Sequence, residues 1–184
     1  MSLGRPLVLC ALVGCLLPCS SALLSVAPLQ RLCYASSLAY CGGSLQEVSE
    51  KEYASVSKLR PVSRLVEPVT KSGVTILEST DEGDDLLVVA FRGSANLQNF
   101  VTNLRLSLVP LDGEPSARVH EGFQEASRGL WKMLDEELEV LQSRGERRAV
   151  FTGHSLGGAT AQVCLLEESC NSCKRALRDS KVTC

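Results

Sequence analysis

This 184-residue sequence lacks an excess of charge of either sign. Its 19 Lys and Arg residues nearly balance its 21 Asp and Glu residues. Without a basic face, the composition argues against a nucleic-acid partner. No apolar run reaches the roughly 20 residues that a membrane-spanning helix needs. Only two histidines are present, and the C-x-x-C pair has neither a second pair nor a histidine near it. We therefore predict no transmembrane span and no metal or cofactor.

The first 22 residues have the pattern of a secretory signal peptide. Arg5 precedes an apolar run over residues 7–17, and small residues follow at positions 20–22, where a signal peptidase cuts. The run is too short for a membrane anchor. We therefore predict an exported chain whose mature domain covers residues 23–184.

Six cysteines remain once that segment is removed, and an even number indicates disulfides in an exported chain. Cys33 and Cys41 fall on or next to a predicted helix, where a rise of about 1.5 Å per residue separates them by about 12 Å. A disulfide needs Cα atoms within about 7 Å of each other. Each of the two is therefore expected to pair with a more distant cysteine.

Hydrophobic periodicity predicts an alternation of helices and strands, which favours an α/β sheet with helices packed against it. The run at 86–91 is apolar at every position, which is typical of a strand buried on both faces. The stretch 122–143 has the pattern of an amphipathic helix. In chain order we predict a helix over 30–40, a surface connection over 42–67 with a short helix near 50–57, antiparallel strands over 74–78 and 86–91, a strand over 104–111, the helix over 122–143 and a strand over 149–152.

A Gly-His-Ser-Leu-Gly turn at residues 153–157 lies between the last strand and a small-residue helix. This is the layout of a nucleophile elbow, in which a serine on a tight turn projects its hydroxyl and the flanking glycines prevent clashes. We therefore predict Ser155 as the nucleophile and the Leu156 amide, at the helix start, as an oxyanion donor. The alternative is a glycine-rich turn with an inert serine. Nucleotide binding is excluded because Ala159 stands where a P-loop has lysine.

Three segments in this order resemble the class 3 lipases, secreted fungal-type triacylglycerol lipases of the α/β-hydrolase fold. They are Val89–Ser94 (V-A-F-R-G-S), Val119–Phe123 (V-H-E-G-F) and Phe151–Ala159 (F-T-G-H-S-L-G-G-A). The resemblance covers residues 29–162 and is firmest from residue 86 onward. It implies hydrolysis of lipid esters, with acylglycerols as substrates, by a secreted serine hydrolase that works at a lipid–water interface without a metal or cofactor. The alternatives are a carboxylesterase of the same family, acting on soluble or phenolic esters, and a non-catalytic lipid-binding fragment.

The resemblance also implies roles for individual residues. Ser155 matches the nucleophile, Leu156 the backbone oxyanion donor, and Ser94 the oxyanion residue that donates through both its amide and its hydroxyl. Residues 95–104 match the lid, a short amphipathic segment that opens at an interface. Periodicity alone favours a connector whose apolar residues pack on the core. The apolar lid positions are Leu97, Phe100, Val101 and Leu104.

The sequence departs from the family in the rest of the catalytic triad. The family's catalytic aspartate and histidine lie well downstream of the elbow serine, but residues 156–184 contain no histidine. His120 and His154 both fall in structural motifs, and we do not assign Asp179 as the acid. A serine hydroxyl without a base is a poor nucleophile. The chain is therefore expected to lack part of the triad.

Two further departures concern the oxyanion residue and the tail. Asn103 stands where the family usually has an aspartate that holds the oxyanion serine. From Cys164 the sequence no longer follows the family pattern. We therefore predict an incomplete α/β-hydrolase fold that is family-like to about residue 163, has a divergent tail over 164–184 and lacks its C-terminal strands. This pattern favours the hypothesis that the chain is a truncated or mis-spliced lipase.

Overall fold

The computed structural model of the protein describes residues 26–42, 44–49, 57–93, 107–112, 114–145 and 147–179. The signal peptide predicted at residues 1–22 lies outside the described residues. In the described part of the chain the elements follow in the order α1 (Val26–Leu38), α2 (Leu45–Ser49), β1 (Leu59–Val66), β2 (Gly73–Ser79), β3 (Leu86–Phe91), β4 (Leu108–Leu111), β5 (Glu114–His120), α3 (Glu121–Gln142), β6 (Arg148–Gly153) and α4 (Leu156–Asp179).

Four strands form one sheet in the order β1-β2-β3-β6. The pairs β1–β2 and β2–β3 are antiparallel, whereas β3 and β6 run parallel. The β2–β3 pair confirms the predicted antiparallel strands over 74–78 and 86–91. The parallel register pairs Phe91 with Gly153, the last residues of their strands, and Leu86 with Arg148 at the other end. We call these ends the carboxyl edge and the amino edge. In α/β sheets, functional sites form at the carboxyl edge.

The apolar core lies on both faces of this sheet. Residues Leu87–Phe91 of β3 are 0 % exposed, which confirms the prediction of a strand covered on both faces. On one face Leu32 and Leu38 of α1 pack against β3. On the other face Leu130 and Leu134 of α3 pack against β3 and β6, together with α4. Helices therefore cover both faces of a mixed sheet, as the α/β prediction required.

Strand β1 lies within the segment that we predicted to be a surface connection. Pro61 and the surrounding polar residues lack the alternation that marks a strand. In the structure β1 is at the edge of the sheet and its register shifts between Pro61 and Ser63. Sheets tolerate proline at edges and bulges, because there its missing amide hydrogen costs little. Residues 50–56, which hold most of the predicted short helix, lie outside the described residues.

Strands β4 and β5 form a separate antiparallel pair. Strand β4 falls within the strand predicted over 104–111, of which residues 104–106 lie outside the described part. Strand β5 was not predicted. Its sequence, E-P-S-A-R-V-H, alternates only the small apolar residues Ala117 and Val119 with polar ones, and the residues whose burial is described are exposed or only half-buried. A strand that buries so little leaves only a weak periodic signal in the sequence.

Helix α3 confirms the amphipathic helix predicted over 122–143. His120 is its N-cap residue, and the His120 Nδ1 atom accepts a hydrogen bond of 3.1 Å from the Gly122 amide. This bond satisfies one of the amides that every helix leaves without an intrahelical partner at its start. The prediction that His120 is structural is therefore consistent with its position.

Helices α3 and α4 are joined by a buried polar contact. The Ser127 hydroxyl donates a 2.6 Å hydrogen bond to the Glu167 carboxylate, and the Cys164 thiol lies 3.8 Å from the Ser127 carbonyl oxygen.

The predicted disulfides of Cys33 and Cys41 do not form among the described residues, where both thiols are free. None of the described helices is long and apolar enough to cross a membrane.

The amino edge of the sheet is held by Arg31 of α1. Its guanidinium donates to the Ser57 carbonyl at 3.1 Å, to the Asp84 carboxylate at 3.0 Å and to the Ser79 hydroxyl at 2.9 Å. One side chain thereby links α1 to the chain before β1, to the end of β2 and to the turn before β3. Because these bonds involve a cation that is only partly exposed, they are stronger than ordinary surface contacts.

Two carboxyl groups at this edge have lowered pKa values. Burial by itself would raise the pKa of Asp84, but hydrogen bonds from Ser79 and Arg31 and the charge of Arg31 lower it overall. Burial likewise acts to raise the pKa of Glu78, and the hydrogen bonds and charges of Arg147 and Arg60 together outweigh it. Both carboxylates are therefore held ionised and paired with cations in the folded protein.

We expect the stability of the fold to decrease as the pH falls through the carboxyl range. A group whose pKa is lowered on folding stabilises the protein above its unfolded pKa, and this contribution is lost as the pH falls through the folded pKa. The double variant Glu78→Gln, Asp84→Asn should melt at a lower temperature at neutral pH and lose less stability between about pH 5 and pH 3. Thermal unfolding followed by circular dichroism measures both effects. Glu139→Gln on α3 is the control, and an unchanged pH dependence in the double variant would contradict the assignment.

Strand β6 has a neighbour on one side only in the described sheet. Three of its residues, Ala149, Phe151 and Thr152, are buried, so the open side belongs to an apolar strand. Such an edge is a template for pairing with another chain. We expect the 184-residue chain, expressed alone, to form oligomers or aggregates in size-exclusion chromatography with light scattering. A monodisperse monomer with a single cooperative unfolding transition would show that the edge is protected.

Candidate functional site

The candidate site is the turn between β6 and α4. Strand β6 ends at Gly153 and helix α4 begins at Leu156, so His154 and Ser155 make the whole connection. Ser155 has a φ of 56°, in the left-handed region that non-glycine residues rarely adopt. This conformation costs about 1–2 kcal/mol for a residue with a Cβ atom. Ser155 is half-buried.

Close backbone packing explains the glycines around Ser155. A Cβ atom on Gly153 would lie 2.4 Å from the Gly157 carbonyl carbon. A Cβ atom on Gly157 would lie 2.2 Å from the Phe91 carbonyl oxygen, at the end of β3. Neither position has room for a side chain, and both obstacles are backbone atoms that cannot rotate away. The start of α4 therefore rests directly on the end of β3.

The amides at the start of α4 divide into two groups. The Gly157 and Gly158 amides donate to the His154 and Ser155 carbonyls, both at 3.0 Å, and so close the turn. The Leu156 amide belongs to the first turn of the helix, where amides have no intrahelical acceptor and the dipole favours negative charge. This is the position that the sequence predicted for an oxyanion donor, and it is adjacent to the predicted nucleophile.

The loop after β3 meets the same turn. A Cβ atom on Gly93 would lie 2.6 Å from the His154 carbonyl oxygen, so the two segments are in contact. The chain thus continues toward Ser94 from a point beside the elbow. Ser94 itself, the lid positions and Asn103 lie outside the described residues, and their roles stay predictions. The lid positions are Leu97, Phe100, Val101 and Leu104.

Sequence reasoning missed Tyr40, which follows α1 and reaches the elbow. The Tyr40 hydroxyl oxygen lies 3.0 Å from His154 Nδ1 and 3.5 Å from the His154 carbonyl oxygen. The Nδ1 atom of His154 is therefore directed at Tyr40. Tyr40 is the last apolar position of the predicted N-terminal helix, and nothing in that local pattern indicates a contact with a residue so far along the chain.

A second link between α1 and β6 lies below the elbow. The Ser36 and Thr152 hydroxyl oxygens are 3.1 Å apart, and both side chains are buried. Ser36 also donates to the Leu32 carbonyl at 2.9 Å, which leaves its oxygen free to accept from Thr152.

Among the described residues, no group of three or more His, Cys, Asp and Glu could hold a metal ion.

We expect Gly157→Ala to lower the free energy of unfolding by about 1–3 kcal/mol or to prevent folding, because overpacking against a fixed carbonyl forces the backbone to move. Urea unfolding of the purified variant measures the change. Gly42→Ala is the matched control, since a Cβ atom there meets nothing within 4 Å. If Gly157→Ala unfolds at the same urea concentration as the unsubstituted protein, α4 does not rest on β3 as described.

The comparison with curated proteins finds lipases. A family model described as Lipase (class 3) matches residues 88–183, slightly more than half of the chain. The chain is 34% identical over 99 residues to secreted mono- and diacylglycerol lipase 1 of Fusarium solani, across 51% of this chain and 28% of that protein. It is 29% identical over 89 residues to a lipase of Rhizomucor miehei, across 47% of this chain and 24% of that protein. The chain thus spans about a quarter of the length of these relatives.

Solved lipase structures share the fold. A lipase from Rhizopus microsporus var. chinensis superposes with a TM-score of 0.64 at 19% identity, across 80% of this chain and 52% of that one. A triacylglyceride lipase from Rhizomucor miehei superposes with a TM-score of 0.61 at 19% identity, across 79% of this chain and 56% of that one. The predicted α/β-hydrolase fold is confirmed, over about half of the length of these structures. Because the family model matches more than half of the chain, including α3 and the Ser155 elbow, the chain belongs to the class 3 lipase family.

Proposed function

We propose that this chain carries the nucleophile and part of the oxyanion site of a lipid ester hydrolase, with Ser155 as the nucleophile. The supporting observation is the half-buried Ser155 in a left-handed conformation between β6 and α4. Lys58 and Lys71 also have left-handed backbone, but the turn at Ser155 is held by the close packing of Gly153 and Gly157. Strained backbone that is held in this way clusters at functional positions. A turn in which residue 155 had no chemical role could hold glycine at that position, because glycine adopts this conformation at no cost.

The proposed reaction is acyl transfer through Ser155. Its Oγ attacks the ester carbonyl carbon, the alcohol leaves, and water then releases the acid from the acyl-Ser155 intermediate. Negative charge develops on the carbonyl oxygen, where the Leu156 amide and Ser94 would donate hydrogen bonds. Donors that are fixed in advance by the backbone stabilise this charge without having to reorganise during the reaction.

The reaction also needs a base, and we assign none to the described histidines. His154 Nδ1 faces Tyr40, and His120 Nδ1 accepts from the Gly122 amide. One structurally similar triacylglycerol lipase, with a TM-score of 0.64 at 20% identity, is described as having a serine protease triad at its catalytic centre. This chain covers 58% of that protein. The base and acid of the proposed reaction are therefore expected from outside the described residues.

The proposed substrate is an acylglycerol ester and the proposed location is extracellular. The matched Fusarium solani protein is described as a secreted mono- and diacylglycerol lipase, and residues 1–22 of this chain read as a signal peptide. The proposed lid would cover the site until it meets a lipid–water interface. Its apolar positions are Leu97, Phe100, Val101 and Leu104.

We expect a fluorophosphonate to label Ser155, since its Oγ can bond to phosphorus as the P–F bond breaks and the proton goes to solvent. Mass spectrometry of the digested protein locates the adduct. Ser155→Ala should abolish labelling, and Ser143→Ala, at the C-cap of α3, should not affect it. Without a base in the described residues, the rate is expected to be slow compared with that of a complete serine hydrolase.

The other outcomes separate the alternatives. Labelling together with faster hydrolysis of soluble esters than of emulsified ones would favour a carboxylesterase. Binding to lipid emulsions without any labelling would favour a non-catalytic lipid-binding fragment. Labelling at a serine other than Ser155 would contradict the proposed site.

A further inference from the structure

We propose that the turn between β1 and β2, together with three cations beside it, binds a lipid surface that carries anionic headgroups. The turn covers residues 67–72, and the cations are Arg64, Lys71 and Arg92, which we call the cationic patch. Both lie at the carboxyl edge of the sheet, as Ser155 does. The inference rests on the proposed function for the lipid nature of the partner, because a lipid surface bound at this edge brings ester substrates beside the elbow.

The arrangement of the strands puts the turn and the elbow at the same edge. Strand β1 ends there and β2 begins there, because β2 is antiparallel to β3 and its Val74 pairs with Phe91. Arg92, the residue after β3, reaches back to the turn, where its guanidinium donates to the Lys71 carbonyl. The next residue, Gly93, contacts the elbow. The cationic patch is therefore continuous with the surroundings of the candidate site.

The turn is held in one conformation by the Glu67 carboxylate. That carboxylate accepts from the Val69 amide at 2.9 Å, from the Thr70 hydroxyl at 2.7 Å and from the Thr70 amide. Hydrogen bonds from Thr70 and Val69 lower the pKa of Glu67, and the charge of Lys71 adds a smaller contribution. A Cβ atom on Gly129 of α3 would lie 2.6 Å from Glu67 Cγ, so Glu67 also packs against that helix. The turn is therefore tied to the body of the protein.

The turn has its charged residue inside and its apolar residue outside. Glu67 is only 8% exposed, whereas Val69 at the tip is 84% exposed. Val66, at the end of β1, is also exposed. A single exposed apolar residue is ordinary on a protein surface, but here two lie within four residues at the edge that carries the elbow. Apolar side chains that enter the boundary between headgroups and acyl chains strengthen binding to a lipid surface.

The cations of the patch lack the ion pairs that stabilise the amino edge. There the cations pair with Asp and Glu side chains. Among the described residues Arg64, Lys71 and Arg92 form no ion pair, and the Arg64 guanidinium donates to the Cys41 carbonyl instead. Burial lowers the pKa of Arg64, and the nearby charge of Arg92 lowers it further. Since guanidinium groups stay charged in proteins, and the Glu67 carboxylate is taken up by the turn, the patch keeps a net positive charge.

An anionic lipid surface matches both parts of this region. Peripheral binding to lipid combines buried apolar area with attraction between cations and anionic headgroups. Each Lys or Arg close to such a surface strengthens binding by roughly 5-fold. A small anion such as phosphate would contact the cations alone and leave Val66 and Val69 in water. The exposed valines therefore favour a lipid surface over a small anion.

The test is flotation with vesicles in a density gradient, in which bound protein rises with the lipid and aggregated protein sinks. Vesicles of phosphatidylcholine are compared with vesicles of phosphatidylcholine mixed with phosphatidylglycerol. We expect the 184-residue chain to bind the anionic vesicles more tightly, by a margin that shrinks at high salt. Lys71→Gln should weaken binding to the anionic vesicles by roughly 5-fold and leave binding to the neutral ones unchanged. Val69→Ser should weaken binding to both by roughly 2- to 5-fold.

Two substitutions on α3 are the matched controls. Lys132→Gln removes the charge of an exposed lysine, and Val140→Ser removes an exposed valine, both outside the turn and the patch. Both should leave vesicle binding unchanged, and melting temperatures check that all four variants are folded. If Lys132→Gln weakens binding as much as Lys71→Gln does, net charge drives the binding and the inference is wrong.

The outcomes also separate this inference from the proposed function. If Ser155 is labelled by the fluorophosphonate but the protein binds both kinds of vesicle equally, or neither, the lipid-binding surface is wrong and the proposed function stands. If the anionic vesicles are bound through Lys71 and Val69 but Ser155 is not labelled, the proposed function fails and the surface stands. Release from the vesicles by inorganic phosphate at constant ionic strength would identify a small anion as the occupant and overturn the inference.

Discussion

The contact between the start of α4 and the end of β3 is the constraint on which the rest of the site depends. Gly157 rests on the Phe91 carbonyl with no room for a Cβ atom, and Gly153 packs equally closely on Gly157. This approach requires β6 to lie beside β3 in parallel register, which the Phe91–Gly153 pair provides. With the helix held there, the connection has only two residues, and Ser155 has no alternative to its left-handed conformation.

The elbow could be predicted from sequence because its determinants are local. The glycines at 153 and 157 lie within two residues of Ser155, and β3 is apolar throughout, so both features follow from short segments. Strand β1 was missed because Pro61 and its polar neighbours hide an edge strand, and β5 because it buries little. The contact between Tyr40 and His154 joins residues 114 positions apart, and no local pattern encodes such a pairing.

The two edges of the sheet are stabilised by different interactions. At the amino edge, Arg31, Asp84 and Glu78 belong to ion pairs that tie the helices and turns together. At the carboxyl edge, hydroxyl contacts of Ser36 and Tyr40 with β6 and the elbow serve that purpose. Neutral hydrogen bonds depend less on salt and pH than ion pairs do. Conditions that weaken the amino edge therefore leave the geometry around Ser155 less affected.

The left-handed backbone at Ser155 also links the stability of the turn to the presence of its hydroxyl group. Glycine adopts this conformation without strain, whereas serine carries a Cβ atom. A glycine at position 155 would therefore relieve about 1 kcal/mol of left-handed strain and would also remove the hydroxyl. The hydroxyl of Ser155 thus comes at a cost of about 1 kcal/mol to the stability of the turn.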